Sequence, residues 1–293
     1  IKSWSLERST TGVDDIERRL TPAHSEDMAA LWEPVRDLCL RAADKDYPPL
    51  IHIPHAFISS ARYRSWRAQE GLPARWLFDI VVSYFSCSQG GGAGALALLG
   101  LTNYVSYIGK SADHTQYHLL AYLATYWSPY DIVYRVFMRP RHPVRLMCVG
   151  FSSLDAITTL CGVIDKGLKA QPKNRVLPLM LGVVLYNTGS FWRWLEEWSR
   201  GKASNSFLQE PGSGVTRGVY LALIYVFFGH IFKQGQHRDR ALTVISVLQV
   251  ALEMHEDACD YDAYAGLHKP ALGLARALQR HCCLGPQDAA VGK

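Results

Sequence analysis

Residues 215–232 form an 18-residue run with Arg217 as its one Arg, Lys, Asp or Glu side chain, an unusual stretch for a soluble domain. A bilayer span needs about 20 predominantly apolar residues, so this segment alone directs the reading toward a helical membrane protein. The chain is 293 residues long, enough for two soluble domains or for about seven spans joined by short loops. Its mean hydropathy of -0.03 averages polar ends with a far more apolar middle. The division expected is a polar helical N-terminal extension over 1–46, a transmembrane domain over 47–254 and a polar C-terminal tail over 255–293. A soluble helical protein would have to bury residues 215–232 as core.

Hydrophobic patterning places the spans. In the N-terminal extension, Leu31, Val35, Leu38 and Ala42 share one stripe of an amphipathic helix predicted over 13–46. A weak first span follows Pro48-Pro49 and carries Ile51, Ile53, Phe57 and Ile58 among His52, His55, Arg62 and Arg64. The second covers 75–101 and contains the cluster Gly90-Gly91-Gly92-Ala93-Gly94. Each glycine there costs a helix about 1 kcal/mol relative to alanine, so close packing, a kink or a pore lining must compensate. The third is expected over about 117–138, with Pro129 and Asp131 inside it, and the fourth over about 143–165. The fifth, 176–198, is interrupted by Asn187, Thr188, Gly189 and Ser190; the sixth is 215–232, and a short, amphipathic seventh covers 241–254.

In two sets of three, the middle member of each set is interrupted. Interruptions at corresponding positions point to inverted repeats with a site between them. The fold class predicted is an all-α membrane protein of about seven transmembrane helices, two inverted three-helix repeats plus one, with the polar helical extension in front.

Other function classes receive little support. The net charge is +5, but the basic residues sit between apolar runs rather than along one face, so nucleic acid is not an expected partner. The seven cysteines show no paired CxxC spacing, which supports neither zinc nor a disulfide framework. Cys282-Cys283 are either ordinary thiols or a palmitoylation site. His52 and His55, at i and i+3, have no evident third metal ligand, and nothing fixes a haem spacing between His118 and His230. No catalytic motif has a convincing context, so neither an enzyme nor a cofactor is expected.

Three motifs carry a resemblance. They are Pro73-Ala74-Arg75-Trp76-Leu77 before the glycine cluster, Tyr126-Trp127-Ser128-Pro129-Tyr130-Asp131-Ile132-Val133-Tyr134-Arg135, and Pro143-Val144-Arg145-Leu146. In order and spacing, over about 47–250, they resemble the trimeric intracellular cation channel family. The resemblance implies a seven-helix subunit, a homotrimer with one pore per subunit, and potassium conduction across an internal membrane such as that of the endoplasmic reticulum or another organelle. One departure is plain. Eukaryotic members carry Lys-Glu-Val on the fourth helix, whose lysine holds a phosphoinositide; this chain has Ser152-Ser153-Leu154 there. The rival reading is therefore a non-conducting scaffold, or an accessory subunit of a larger membrane complex that keeps the fold.

Candidate residues follow. Gly90, Gly91, Gly92 and Gly94 either line a cation path with backbone carbonyls or make a tight helix contact. Asn187, Thr188, Gly189 and Ser190 offer oxygens to the same path or hydrogen-bond between helices. Asp131 either tunes the field of the path or pairs with a base such as Arg135 or Arg145, and Asp79 and Asp155 are weaker cases of the same kind, Asp79 with Arg75 as its nearest base. Arg145, Lys166 and Lys169 are candidate contacts for membrane lipid head groups, with ordinary snorkelling as the alternative.

Overall fold

The computed structural model describes residues 23–44, 48–110, 112–174, 176–202, 213–231, 237–270 and 273. Every regular element among them is helical. They are α1 (Ala23–Asp44), α2 (Pro48–Gln69), α3 (Trp76–Ser83), a π-turn (Tyr84–Ser88), α4 (Gly90–Leu98), α5 (Tyr104–Lys110), α6 (Ala112–Trp127), a 3-10 turn (Pro129–Asp131), α7 (Ile132–Met138), α8 (Pro143–Ala170), α9 (Leu177–Ser199), α10 (Ser213–Val226), a second π-turn (Phe227–Ile231) and α11 (Arg238–Cys259). The described residues fall into two units divided between Leu38 and Cys39. In the first, Leu31 and Val35 are exposed and Arg36 pairs with Glu33 one turn earlier at 2.8 Å. Residues 13–22 of the predicted N-terminal helix, and Cys282-Cys283, lie outside the described residues.

The centre of the second unit is α8. Pro143 starts it at a position where a missing N–H costs nothing and a fixed φ is already helical. Ile157, Leu160, Cys161 and Ile164 on its buried side pack against Leu221, Ala222 and Tyr225 of α10 and Ala241, Leu242 and Ile245 of α11. Arg145, near the start of α8, forks onto Asp257 near the end of α11 at 2.7 and 2.8 Å. Asp165, near the end of α8, accepts from Arg238 at the start of α11 at 2.9 and 2.6 Å. Those end-to-end pairs make α8 and α11 antiparallel. Between α9 and α10 the backbones nearly touch: a Cβ on Gly182 would strike the Gly218 carbonyl, and one on Gly218 the Gly182 carbonyl.

Two helices are long and apolar enough to cross a membrane, Pro143–Ala170 and Gly214–Ile231, with Trp76–Ser88 a shorter apolar stretch. The first is mostly wrapped by other helices, whereas the second turns Leu223, Ile224, Phe227, Phe228 and Ile231 outward. Trp76, Leu77 and Val81 on α3 and Val244 and Leu248 on α11 are exposed as well. So much outward apolar surface is at home in hydrocarbon, not in water.

Two predicted spans differ in form. The third is not one helix: it breaks at Ser128-Pro129, and Tyr130 and Asp131 take left-handed backbone angles (φ 55° and 57°) before α7 begins. Proline has no N–H to continue the ladder, and the Ser128 hydroxyl accepts from the Val133 N–H at 3.2 Å to restart it. The fifth is interrupted in composition only, for α9 runs helically straight through Asn187–Ser190.

Candidate functional site

The break in the second span is the π-turn Tyr84–Ser88, closed by a hydrogen bond from the Gln89 N–H to the Tyr84 carbonyl at 2.7 Å. Such a turn releases backbone carbonyls from the helix, and inside a membrane protein each needs another donor. Helix α2 supplies two: Ser59 donates to the Cys87 carbonyl at 2.6 Å, and His55 Nε2 donates to the Ser88 carbonyl at 2.9 Å. A carbonyl only accepts, so Nε2 carries the hydrogen, and in the neutral ring the Ser152 hydroxyl donates to Nδ1 at 2.7 Å. The glycines permit the turn and its contact with α9. A Cβ on Gly90 would strike the Phe85 carbonyl, one on Gly91 the Leu185 carbonyl, and one on Gly189 the Ser86 carbonyl.

Beside these contacts lies a cavity of about 320 Å³. The π-turn and Gly90, Gly91 and Gly92 form one wall, Leu185, Tyr186 and Gly189 of α9 another, and Ser152, Ser153 and Asp155 of α8 a third. Arg62, Arg193, Arg217 and Glu253 also reach it. A wider, open cavity of about 510 Å³ shares Arg62, Arg217 and Glu253 with the first and adds Glu256, Asp257, Asp260 and Asp262. That mouth carries five carboxylates against two guanidinium groups, with Arg145 forked onto Asp257 as a third, and the remaining negative excess favours cations. Its arginines are held rather than free: Arg217 bonds Glu253 and, at 2.9 Å, Glu256, and Arg62 lies 3.6 Å from Asp257.

One turn beyond Arg193, α9 contributes Glu196 to a buried ionic cluster with Asp79 of α3, Arg67 of α2 and Arg200. Arg67 pairs with Asp79, and Arg200 bonds Glu196 at 2.7 Å and Asp79 at 3.4 Å. Tyr63 donates to Glu196 at 2.8 Å. Both carboxylates are wholly buried. The Asp79 partner is thus Arg67; Arg75 contributes only its backbone N–H, at 2.8 Å.

Of the residues singled out in the sequence, Gly90, Gly91, Gly92 and Gly189 come together on the cavity. Gly94 faces Thr188 instead: a Cβ there would lie 2.7 Å from the Thr188 hydroxyl. Asn187 donates to the Val183 carbonyl at 2.8 Å and Thr188 to the Val184 carbonyl at 2.5 Å, both within their own helix. Ser190 is half-buried on α9 and is not among the cavity-lining residues. Asp131 lies outside the lining, is part-exposed rather than buried, and its base is Arg64 at 3.0 Å rather than Arg135 or Arg145. Arg145 is bonded to Asp257, while Lys166 and Lys169 are exposed near the end of α8.

Sequence reasoning passed over Arg62, Arg193, Arg217, Glu253 and Glu196. A signal existed for one of them. Arg217 interrupts one of the two helices long and apolar enough to cross a membrane, and a guanidinium in such a helix requires a carboxylate partner from another.

The helices, with their outward apolar faces, define an all-helical membrane architecture. The chain is similar to two solved structures of a trimeric intracellular cation channel from C. elegans. The one without Ca2+ matches with a TM-score of 0.58 at 13% identity, covering 78% of this chain and 97% of that one. The one with bound Ca2+ matches with a TM-score of 0.56 at 16% identity, covering 78% and 98%. No protein-family model and no curated protein matches the chain. At these identities the shared property is the fold: the chain has a divergent form of the trimeric intracellular cation channel architecture.

Proposed function

We propose that the protein is a cation channel of an intracellular membrane, with one path in each subunit between the π-broken second span and α9. The observation that carries this reading is the cavity walled by Gly90, Gly91, Gly92 and Gly189, which opens onto a mouth with excess carboxylate, in a chain with a channel fold. Potassium is the proposed permeant ion. Backbone carbonyls and serine hydroxyls along the wall replace part of a monovalent ion's hydration at modest cost, whereas a divalent ion holds its water too firmly. The proposed assembly is a homotrimer. Lys166 and Lys169, both exposed at the end of α8, are the proposed contacts for lipid head groups. No phosphoinositide site is proposed on α8, because Ser152 is committed to His55 and Ser153 brings no charge.

A second reading is favoured by one observation. Three guanidinium groups, from Arg62, Arg193 and Arg217, reach the cavity, a field that opposes cations wherever it is not neutralised by neighbouring carboxylates. On that reading the chain is a non-conducting scaffold, or an accessory subunit of a larger complex. Planar-bilayer recording of the purified protein under a potassium chloride gradient separates the two. The channel reading expects currents reversing near the potassium equilibrium potential from a particle of trimeric mass. Silence, or reversal near the chloride potential, supports the scaffold or an anion path instead.

A further inference from the structure

A line of titratable groups leaves the cavity on the side away from its acidic mouth. Asp155 projects into the cavity from α8 and is nearly buried. Its Oδ1 lies 3.5 Å from Nδ1 of His52, a buried residue near the start of α2. The His52 ring meets that of His114, near the start of α6, with centroids 3.7 Å apart and planes tilted by 57°. His114 is half-buried, so the line ends within reach of solvent.

Helix directions fix where it leads. Arg64, late in α2, donates to the Thr125 carbonyl at the far end of α6 and to Asp131 just beyond it, so α2 and α6 run the same way and their first turns share one end. Arg62, also late in α2, faces Asp257 at the acidic mouth. His52 and His114 therefore lie toward the opposite end from the mouth.

We propose that Asp155, His52 and His114 form a proton relay joining the cation cavity to the face opposite the acidic mouth. The proposal rests on the channel reading for an aqueous cavity in a protein that separates two compartments. Chains of Asp and His inside membrane proteins are where protons are passed, and imidazole is the side chain whose ordinary pKa suits it to gain and lose a proton near neutrality.

In the proposed step, a hydronium in the cavity protonates the Asp155 carboxylate, and its O–H bond is broken as an N–H bond forms at His52 Nδ1. The His52 imidazolium gives its other ring proton to His114, and His114 releases one to solvent. Rotation of the rings restores the neutral start, so one proton has moved and nothing is oxidised or reduced. Two rings in contact leave no passage for an alkali cation, which makes the branch selective for protons. The charged and titratable groups that line the cavity beside Asp155 are His55 and Arg62 of α2, Cys87 of the π-turn, Tyr186 and Arg193 of α9, Arg217 of α10 and Glu253 of α11. The three arginines keep their protons throughout and act only through their field.

The test uses the full chain in liposomes loaded with a pH-sensitive dye, with valinomycin setting a potential that draws protons inward; potassium efflux is followed in parallel without valinomycin. His52→Gln and the half-buried His114→Gln are compared with the unchanged protein, with oligomeric mass and melting temperature checked for each. The expected result is proton uptake by the unchanged protein, slowed by about tenfold or more in either variant because each breaks the chain of ionisable side chains, with potassium efflux within about twofold. Potassium efflux without proton uptake by the unchanged protein overturns the relay and leaves the channel standing. Uptake equally fast in both variants overturns it too. Movement of neither ion overturns the channel reading and the relay with it.

Discussion

Gly91 and Gly189 sit on the cavity and in backbone contact at once, so the tight helix contact that the glycine cluster allowed in the sequence lies against the wall of the proposed ion path. A methyl on Gly91 has only the Leu185 backbone to displace, and backbone does not yield as a side chain does. Gly91→Ala should lower stability by about 1–3 kcal/mol, the usual cost of overpacking, seen as a reduced melting temperature in detergent. Gly92→Ala should be milder, because its Cβ meets the Tyr107 hydroxyl at 3.3 Å and a Thr159 methyl at 3.4 Å, both on side chains. The glycines were legible because no helix carries four of them in five positions without a reason. The bonds of Asn187 and Thr188 were less legible. A polar residue in an apolar helix advertises an unmet need, and here each meets it with the carbonyl four residues back, a choice composition does not reveal.

At the scale of elements, the π-turn and the buried ionic cluster hold the second span against its neighbours. The turn is pinned to α2 through Ser59 and His55, and α3 is pinned to α2 and α9 through Asp79. Glu196→Gln removes one of two buried carboxylates and leaves Arg67 and Arg200 sharing Asp79. Breaking a buried pair from one side costs about 3–5 kcal/mol, so this variant should melt well below the unchanged protein, and a melting temperature unaltered by the change would show that the cluster contributes little. Helix positions were largely readable from hydropathy. The helix break before Asp131 was signalled by Pro129, but the expected break within α9 was not realised, because hydroxyl and amide groups can be absorbed by an intact helix whereas proline cannot. The Asp79–Glu196 cluster was hidden because its two halves, Arg67 with Asp79 and Glu196 with Arg200, lie more than a hundred residues apart in sequence, and only the packing of α2, α3 and α9 brings them together.

For the molecule as a whole, the cavity and mouth share Arg62, Arg217 and Glu253, and the two shared arginines are paired with mouth carboxylates while Arg193 lies against the Trp66 ring. Asp260→Asn with Asp262→Asn should lower single-channel current at about 0.01 M salt, where fields reach about 30 Å, and change it little at about 1 M, where they fade within about 3 Å. Bilayer recordings at the two salt concentrations check this. The channel architecture was legible from the order and spacing of three short motifs together with the apolar runs. The mouth was not, because its carboxylates come from the end of α11 and the residues after it, which read as a polar tail until Arg62 and Arg217 are seen to meet them. The central claim, that ions pass between the π-broken span and α9, is tested most directly by potassium efflux from liposomes carrying Gly92→Leu beside the unchanged protein. The account predicts rapid efflux from the unchanged protein and its loss in the variant, with oligomeric mass retained. Efflux undiminished by a leucine on that wall would contradict it.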